Sequence, residues 1–434
     1  MNAPCFKTRR CQLMSAVEAD TLIFILSAPE CVRNQDVNYP YRPNSDFHYL
    51  TAFPEPDSLA ILCSQAGGEQ GKFILFSRPK NEIDSLWIGE AIGVKGACDQ
   101  YDADFAYPLE QLEGQLALLS AHRRAYYFLG ASNPALRQRI ERYLQTQPHL
   151  LYNETANQRL TNIVHEMRLQ KTAEERQAIQ QAVTVSTQAH QRAMQACRPG
   201  LYEYHLEAEL LYTFCQQGCR ETAYPSIVAS GANACILHYT ANKAELKAGD
   251  LVLIDAGCEY QYYASDITRC FPVTGRFSPE QKAIYEIVLQ AQQAVITQIK
   301  PGVAWNTLQA LCARVITEGL KEVGLLKGSL ETLLEQKAYR KFYMHGFGHW
   351  LGLDVHDVGS YQVDGQARCL ELNQIFTVEP GIYIRQQADV DPKWWNIGIR
   401  IEDNVCVTAT EPGVEVLSKA LPKEIDTIET WMCG

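Results

Sequence analysis

The stretch LVLIDAGCEYQYYASDITRCF, residues 251–271, places two aspartates in segments that read as strands. Asp255 ends a run of four aliphatic residues typical of a buried strand, and Asp266 lies in a second β-rich run. Read as an antiparallel hairpin with its turn between Tyr260 and Gln261, the stretch makes the aspartates direct cross-strand partners. Two ionised carboxylates so close together and partly buried repel each other. We therefore expect a cation between them, since proton-sharing aspartates of aspartic proteases lie in Asp-Thr/Ser-Gly loops rather than in such a hairpin.

The second half of the chain offers the further ligands that such a cation would need. MHGFGHWLGLDVHDVG contains three histidines, FTVEPGIY contains Glu379, and GIRIEDNV contains Glu402, with Arg400 two residues earlier on the same strand face. Two aspartates, two glutamates and one histidine form an oxygen-rich set that suits manganese or a similar ion. Two divalent ions balance the four carboxylate charges and can clamp a hydroxide that attacks a carbonyl.

Residues 170–434 read as two copies of one α/β unit. LVLIDAGCEY and QIFTVEPGIY both run strand, acid, any residue, glycine, and the alignment of SDITRCFPV with IEDNVCVTA puts Asp266 opposite Glu402. We expect the copies to face each other across a pseudo-twofold axis, so that each brings a pair of acids to a shared centre.

Two domains are predicted. Residues 1–165 alternate helical stretches with the strand-like runs TLIFIL, SLAILC, KFILFS and AYYFLG, which indicates an α/β domain, and residues 166–434 hold the duplicated unit. Two capping boxes predict helix starts in the second domain, namely Thr172 with Glu175 and Ser278 with Gln281.

Composition restricts the partners and the cellular compartment. The formal net charge of −11 argues against nucleic-acid or anionic-membrane partners, which require a basic face. No apolar run approaches the roughly 18 residues of a membrane span. The 15 cysteines show neither CxxC pairs nor regular spacing, which favours free thiols in a reducing compartment. The N-terminus lacks the pattern of a signal peptide, so we expect a cytoplasmic protein.

The D-A-G…D, H-G-x-G-H, E-P-G and R-I-E-D elements, in this order, resemble the pita-bread metallopeptidase family, and most closely its aminopeptidase P (Xaa-Pro aminopeptidase) group. YPYRPNSDFHYLTAFPEPDS also resembles the N-terminal domain of that group. The resemblance implies an N-terminal α/β domain followed by a C-terminal pita-bread catalytic domain. The implied activity is release of the N-terminal residue from peptides with proline in the second position, through a hydroxide that bridges two divalent metals, with Mn²⁺ as the expected ion.

The resemblance also implies the roles of individual residues. The metal ligands would be Asp255, Asp266, His349, Glu379 and Glu402. Among these, Asp266 and Glu402 would bridge both metals, and Glu379 would also serve as general base. The other implied catalytic residues are His345 and His356, and the implied substrate-binding residues are His238, Tyr383, His345, His356 and Trp87. Arg400 is a further catalytic candidate because of its place beside so many acids, where we expect it to orient a ligand carboxylate or a substrate group. The alternative is an ordinary arginine on a strand face. Taken alone, a histidine is more often structural than catalytic; the constellation reverses that expectation here.

Trp87 differs in its setting from the family pattern, because Glu90 stands where relatives often carry an arginine. In the family this tryptophan can reach into the site of a neighbouring subunit, which implies a homo-oligomer, either a tetramer or a dimer. The alternative is a tryptophan that packs within its own domain.

Two other functions stay open on the sequence alone. Prolidase, which cuts Xaa-Pro dipeptides, would use the same five ligands, and only the N-terminal motif favours aminopeptidase P over it. A metal-free pita-bread binding protein is an alternative of a different class, although such proteins generally lose ligand residues and none is missing here.

Overall fold

The computed structural model describes residues 3–65, 71–130 and 133–433. The chain divides into two compact units, Met1–Arg168 and Leu169–Gly434. Within the described ranges, no helix combines the length and the apolar character that crossing a bilayer requires.

The first unit is built on a five-stranded sheet with the order β6-β5-β4-β1-β7. Its strands are β1 (Thr21–Leu26), β2 (Val32–Asn34), β3 (Val37–Asn38), β4 (Leu59–Cys63), β5 (Lys72–Ser77), β6 (Phe105–Pro108) and β7 (Ala125–Leu129). Its helices are α1 (Ala3–Ser15), α2 (Ser45–Thr51), α3 (Glu82–Ile88), α4 (Gly93–Tyr101), α5 (Leu112–Ser120), α6 (Pro134–Leu144) and α7 (Glu154–Leu169), with a 3₁₀ turn at Leu109–Gln111. The four predicted apolar runs form β1, β4, β5 and β7, which confirms the α/β prediction for this unit.

Continuous apolar runs form these strands because both faces of the sheet are covered. All six residues of β1 are buried. On one face, Phe24 stacks on Phe128 with ring centroids 5.2 Å apart, and Leu116 of α5 and Ile140 of α6 complete the same apolar cluster. Such burial favours β-branched and aromatic residues along each strand.

The second unit holds the remaining elements. Its strands are β8 (Ile227–Ser230), β9 (Leu251–Asp255), β10 (Glu259–Tyr260), β11 (Tyr263–Ala264), β12 (Thr268–Pro272), β13 (Gln362–Val363), β14 (Gln366–Ala367), β15 (Ile375–Val378), β16 (Gly381–Ile384), β17 (Ile397–Arg400), β18 (Asp403–Val407) and β19 (Val414–Val416). Its helices are α8 (Ala173–Ala196), α9 (Glu203–Gln216), α10 (Pro279–Gln298), α11 (Trp305–Glu322), α12 (Leu330–Glu335) and α13 (Ile425–Cys433), with 3₁₀ turns at Gly231–Cys235, Ala338–Lys341 and Pro392–Trp394.

Both predicted capping boxes are present at the starts of α8 and α10. The Thr172 side chain accepts from the Glu175 amide and the Glu175 carboxylate accepts from the Thr172 amide. Ser278 and Gln281 make the same reciprocal pair. Each box satisfies two amides that the first helical turn leaves unpaired, which fixes where the helix begins.

The predicted register of the first hairpin is wrong. Asp255 pairs with Thr268, not with Asp266, and Tyr260 pairs with Tyr263. The turn therefore consists of Gln261 and Tyr262, whose φ angles of 51° and 68° are both positive, as a type I′ hairpin turn requires. The register places Asp266 across from Gly257, so the two aspartates are diagonal neighbours on one face of the hairpin rather than directly opposed.

A second hairpin repeats this design. β15 pairs with β18 so that Val378 lies opposite Asp403, and β16 pairs with β17 so that Gly381 lies opposite Arg400. Glu379 and Glu402 occupy the interval between these two ladders. In both hairpins, acidic residues therefore stand at or beside an interruption of the strand pairing: Asp266, Glu379 and Glu402 lie within it, and Asp255 is the last paired residue of β9.

Candidate metal centre and active site

The two aspartates of the first hairpin share one hydrogen-bond donor. The Tyr224 hydroxyl lies 2.5 Å from Oδ1 of Asp255 and 2.6 Å from Oδ1 of Asp266. Both aspartates are buried, with 8% and 5% of their surface exposed. A phenol has a single proton, so it can donate to only one carboxylate at a time.

Arg400, at the end of β17, supplies positive charge to this region. Its Nη2 donates to Oδ2 of Asp255 at 2.5 Å, its Nη1 to the Tyr383 hydroxyl at 2.9 Å, and its Nε to Oγ1 of Thr268 at 3.2 Å. Each nitrogen of the guanidinium thus has a partner, and the side chain is held in one orientation on the Asp255 side of the cluster.

His349 presents one ring nitrogen to the carboxylates. Its Nδ1 donates to the Trp350 carbonyl at 3.0 Å, because a carbonyl can only accept. Nε2 then lies 3.3 Å from Oδ2 of Asp266 and 3.7 Å from Oε1 of Glu379. Burial lowers the pKa of His349, but the hydrogen bond to Asp266 and the charge of Glu379 outweigh burial and raise it to about 9. A nitrogen oriented in this way is suited to bind a cation in place of its proton.

Glu402 is the most deeply buried of the acids, at 1% exposure. Its Oε2 accepts a hydrogen bond from the Thr268 hydroxyl at 2.7 Å. Burial, together with the negative charges of Asp266, Glu379 and Asp255, raises the pKa of Glu402 well above its usual range. The fold therefore holds Glu402 in an environment short of positive charge.

The donor set fits divalent metal ions. Ligand atoms of Asp266, His349 and Glu402 all lie within 4.8 Å of one another, and Asp255 and Glu379 complete the surrounding acids. Burial also raises the pKa of Glu379, to about 7, against the opposing charges of His349 and an arginine. Four carboxylates around one arginine leave an excess of buried negative charge, and oxygen and imidazole donors suit manganese, zinc or similar ions.

These residues line one cavity of about 430 Å³ in the second unit. It contains every predicted site residue except Trp87. The lining residues are Leu237, His238, Asp255, Asp266, His345, Gly346, Gly348, His349, His356, Tyr361, Glu379, Tyr383, Arg400 and Glu402. The volume is in the range of pockets that bind small ligands.

His345 joins the arginine through a hydrogen-bonded chain. Its Nε2 lies 2.8 Å from the Tyr383 hydroxyl, which itself accepts from Arg400. Its Nδ1 lies 2.8 Å from the Gly346 carbonyl and therefore carries the proton, so Tyr383 donates to Nε2. Burial and the nearby arginine charge lower the pKa of His345 to about 4, which keeps the ring neutral at pH 7.

Two further predicted histidines occupy more exposed positions. The ring of His356 meets that of His349 edge to face, with centroids 4.2 Å apart. Burial, followed by the charge of His349, lowers the pKa of His356. His238 is exposed and follows Leu237 on the cavity wall. Both imidazoles are placed where an entering ligand could reach them.

Trp87 lies in α3 of the first unit and is 84% exposed. Its neighbours Ile83, Leu86 and Ile88 are also largely exposed, and Glu90 pairs with Lys80 at 3.0 Å. The predicted alternative, packing within its own domain, does not account for so much exposed apolar surface on this short helix.

Sequence reasoning missed three residues that support the acids. These are Tyr224, Thr268 and Asn404, whose side-chain oxygen accepts from the Asp266 amide at 3.1 Å. Thr268 stands two residues after Asp266 and could have been found from the alternation of strand faces. Tyr224 is 31 residues from Asp255, and no local pattern indicates its role.

Comparison with known sequence families gives two matches. The pattern for metallopeptidase family M24 matches residues 177–409, and that for the aminopeptidase P N-terminal domain matches residues 6–127. Among curated proteins, the chain is 43% identical to the Xaa-Pro aminopeptidase of Haemophilus influenzae over 98% of its length and 96% of the relative's. It is 39% identical to that of Escherichia coli, over 98% and 97%.

Solved structures show the same similarity. The proline aminopeptidase P II of Yersinia pestis superposes with a TM-score of 0.94 at 41% identity and covers 100% of both chains. Aminopeptidase P from E. coli, solved with the inhibitor Pro-Leu, superposes with a TM-score of 0.94 at 39% identity, over 100% of this chain and 98% of the other. These similarities extend over both units and confirm the predicted fold class.

Proposed function

Because the chain belongs to metallopeptidase family M24 and is an enzyme of the Xaa-Pro aminopeptidase type, we propose that it releases the N-terminal residue from peptides with proline second. The observation that carries this proposal is the convergence of Asp266, His349 and Glu402 in one cavity. Four acids and an imidazole together are difficult to explain in a protein that binds no cation.

We propose two divalent ions, manganese by preference, as the cofactor. Asp266 and Glu402 would hold both ions, Asp255 one, and His349 with Glu379 the other. Bound in this way, the ions would lower the pKa of water and so supply a hydroxide at neutral pH. Among the acids, Arg400 donates a hydrogen bond to Asp255, so the carboxylates of Asp266 and Glu402 would be available to bind the ions.

The remaining site residues are proposed to bind substrate and move protons. Glu379, whose carboxylate lies beside His349 in the cavity, would accept a proton from the attacking water. An Xaa-Pro bond has no N–H, so its departing nitrogen must be protonated, and the proposed route is through Glu379 with His345 or His356. Tyr383 would contact the proline ring, and His238 the residue before the scissile bond.

We also propose a homo-oligomer, tetramer or dimer, in which Trp87 of one subunit reaches the site of another. The support is the exposed apolar surface of α3, where Leu86 and Trp87 are 86% and 84% exposed. A Trp87→Ser variant that stays monomeric in sedimentation while the parent assembles would agree with this; identical assembly would contradict it. Cytoplasmic localisation is likewise proposed, in keeping with free thiols at the described cysteines, and cell fractionation tests it.

A substrate series tests the proposed reaction. Turnover of Xaa-Pro-Yaa, Xaa-Pro and Xaa-Ala-Yaa peptides is measured on chelator-treated protein with and without Mn²⁺. We expect metal-dependent cleavage of Xaa-Pro-Yaa, loss of activity in Asp266→Ala, and normal activity in Glu209→Gln, a control on the surface of α9. Preference for the dipeptide would indicate a prolidase instead. Failure to bind metal, measured by elemental analysis, would indicate the metal-free binding protein.

A further inference from the structure

A second buried carboxylate outside the metal cluster has an unusual number of hydrogen-bond donors. Glu203, the first residue of α9, is 0% exposed. Its carboxylate accepts five hydrogen bonds, from the Ser230 amide (2.7 Å), the Ser230 hydroxyl (2.8 Å), Asn233 Nδ2 (3.0 Å), the Tyr239 hydroxyl (2.8 Å) and the Ala244 amide (2.8 Å). Such charge-assisted bonds are stronger than neutral ones and bring specific groups together.

All five donors come from one segment, residues 230–244, which connects β8 to the approach to β9. Oε1 holds the beginning of the segment through Ser230 and Asn233, and Oε2 holds its end through Tyr239 and Ala244. The Glu203 amide also donates to the Ala244 carbonyl at 2.9 Å. One side chain thus closes a loop of about fifteen residues at both ends.

The segment has little regular structure of its own. Only the short 3₁₀ turn Gly231–Cys235 interrupts it, and no helix or strand follows before β9. Asn242 adds a second support, since its side chain accepts from the Val228 amide at 3.0 Å and donates to the Ser226 carbonyl at 2.8 Å. The conformation therefore depends on bonds from side chains to the loop rather than on a helix or sheet ladder.

Between the two clamped ends lie Leu237 and His238, which line the cavity of the metal centre. We propose that Glu203 is a positioning residue: by closing the loop, it holds His238 at the place where the substrate enters. The proposal rests on the proposed function for the role of His238, but the closing of the loop is a property of the fold. The five donors include none of the proposed metal ligands, so Glu203 is expected to act on substrate and not on metal affinity.

Glu203→Gln is the informative substitution, because it keeps the side-chain shape and replaces one acceptor oxygen by an NH₂ group. That group would face donors of the loop and cannot accept from them. Glu209→Gln is the matched control: it removes a carboxylate from the same helix, but one that is paired with Arg192 at the surface.

Hydrogen exchange followed by mass spectrometry tests the clamp without any catalytic assay. In Glu203→Gln, amides of residues 230–244 should exchange at least about tenfold faster, while those of the hairpin at 251–271 keep their parental rates. The control should exchange like the parent throughout. Unchanged rates in the loop, or a general rise across the second unit, would overturn the proposal. If Glu203→Gln does not fold, Tyr239→Phe removes one of the five bonds and must produce a smaller increase confined to the same loop.

A double-mutant cycle with His238→Ala tests whether Glu203 acts through that histidine. We expect Glu203→Gln to lower kcat/KM for Xaa-Pro-Yaa about tenfold, within the roughly hundredfold that a misplaced group can cost. Manganese affinity should stay at the parental value. In the His238→Ala background the same change should have almost no further effect. Three outcomes would overturn the proposal. The two substitutions could lower kcat/KM independently, His238→Ala could leave kcat/KM unchanged, or Glu203→Gln could weaken manganese binding as much as it lowers kcat/KM. An inactive parent would contradict the proposed function alone, because the exchange result still decides whether Glu203 holds the loop.

Discussion

The excess negative charge at the metal centre predicts that removing one acid stabilises the protein when no metal is bound. Glu379→Gln is the substitution of choice, because glutamine keeps the shape of the side chain and cannot ionise. Burial raises the pKa of Glu379 from 4.5 to about 7, even after the attraction of His349 and Arg400 has been counted. In the folded protein the charged form is therefore disfavoured, so ionisation of this carboxyl opposes folding.

The size of the stability change, and the pH range over which it develops, both follow from the pKa of Glu379. One pKa unit corresponds to about 1.4 kcal/mol, so a rise from 4.5 to about 7 corresponds to about 3 kcal/mol. Because the folded state holds its proton more tightly, the free energy of unfolding falls as the pH rises from 4.5 to about 7. Without metal, the free energy of unfolding of the variant should exceed that of the parent by about 3 kcal/mol at pH 8 and by about 1 kcal/mol at pH 5.

Urea unfolding with a chelator present, at pH 5 and pH 8, measures both differences. Manganese at a hundred times its dissociation constant should then stabilise the parent by about 2.7 kcal/mol. It should stabilise the variant by less, so the difference in the free energy of unfolding between variant and parent becomes smaller. Glu371→Gln is the control, since that carboxylate is 48% exposed beside Arg368; it should change stability by less than about 0.5 kcal/mol. A metal-free Glu379→Gln protein that is less stable than the parent at pH 8, or a difference independent of pH, would refute the reasoning.

Other contacts give three shorter predictions. Lys171→Met removes the cation of a pair with Asp357 at 3.0 Å in which both side chains are 1% exposed, so urea unfolding should show a loss of about 3 kcal/mol or more; a loss below 1 kcal/mol would contradict this. Tyr224→Phe removes the proton shared by two acids, and calorimetric titration should show manganese binding about tenfold weaker; unchanged affinity would argue against a role for the hydroxyl. Arg400→Lys removes the planar guanidinium that donates to Asp255, Tyr383 and Thr268, so kcat at saturating manganese should fall about tenfold to a hundredfold. A kcat equal to that of the parent would show that the positive charge alone is sufficient.

Continuous apolar runs made most strands of the first unit predictable from the sequence. The strand that was missed, β6, has no such run. β1, β4, β5 and β7 are continuous runs because both faces of the sheet are buried. β6 escaped notice because it is a four-residue edge strand, Phe105–Pro108, whose first residue is exposed. Such a strand gains its structure from pairing with β5 and not from a pattern of its own.

The error in hairpin register has a local cause. Type I′ turns are usually recognised in a sequence by Asn-Gly or Gly-Gly, because these residues adopt positive φ angles at low energetic cost. Here Gln261 and Tyr262 adopt those angles instead, so the sequence carried no signal that the turn lay one residue further along. A tertiary contact holds this end of the hairpin, since the buried Tyr263 hydroxyl donates to Glu175 of α8 at 2.9 Å. The choice of the five proposed ligands does not depend on this register, because it was made from the order of the motifs; the cavity brings all five together.

The glycines of the D-A-G and E-P-G elements show how the fold brings acids together. A Cβ on Gly257 would lie 1.8 Å from the Ser265 carbonyl oxygen, so only glycine allows the strand carrying Asp266 to approach. A Cβ on Gly381 would lie 2.5 Å from the Tyr383 hydroxyl, which the chain from Arg400 to His345 requires. In each hairpin the glycine follows the acid by two residues, at or beside an interruption between two ladders. The close backbone approach that these glycines permit allows carboxylates from two hairpins to converge in one cavity. A charge repulsion that would be a defect in an ordinary core thus becomes, at this place, affinity for divalent ions.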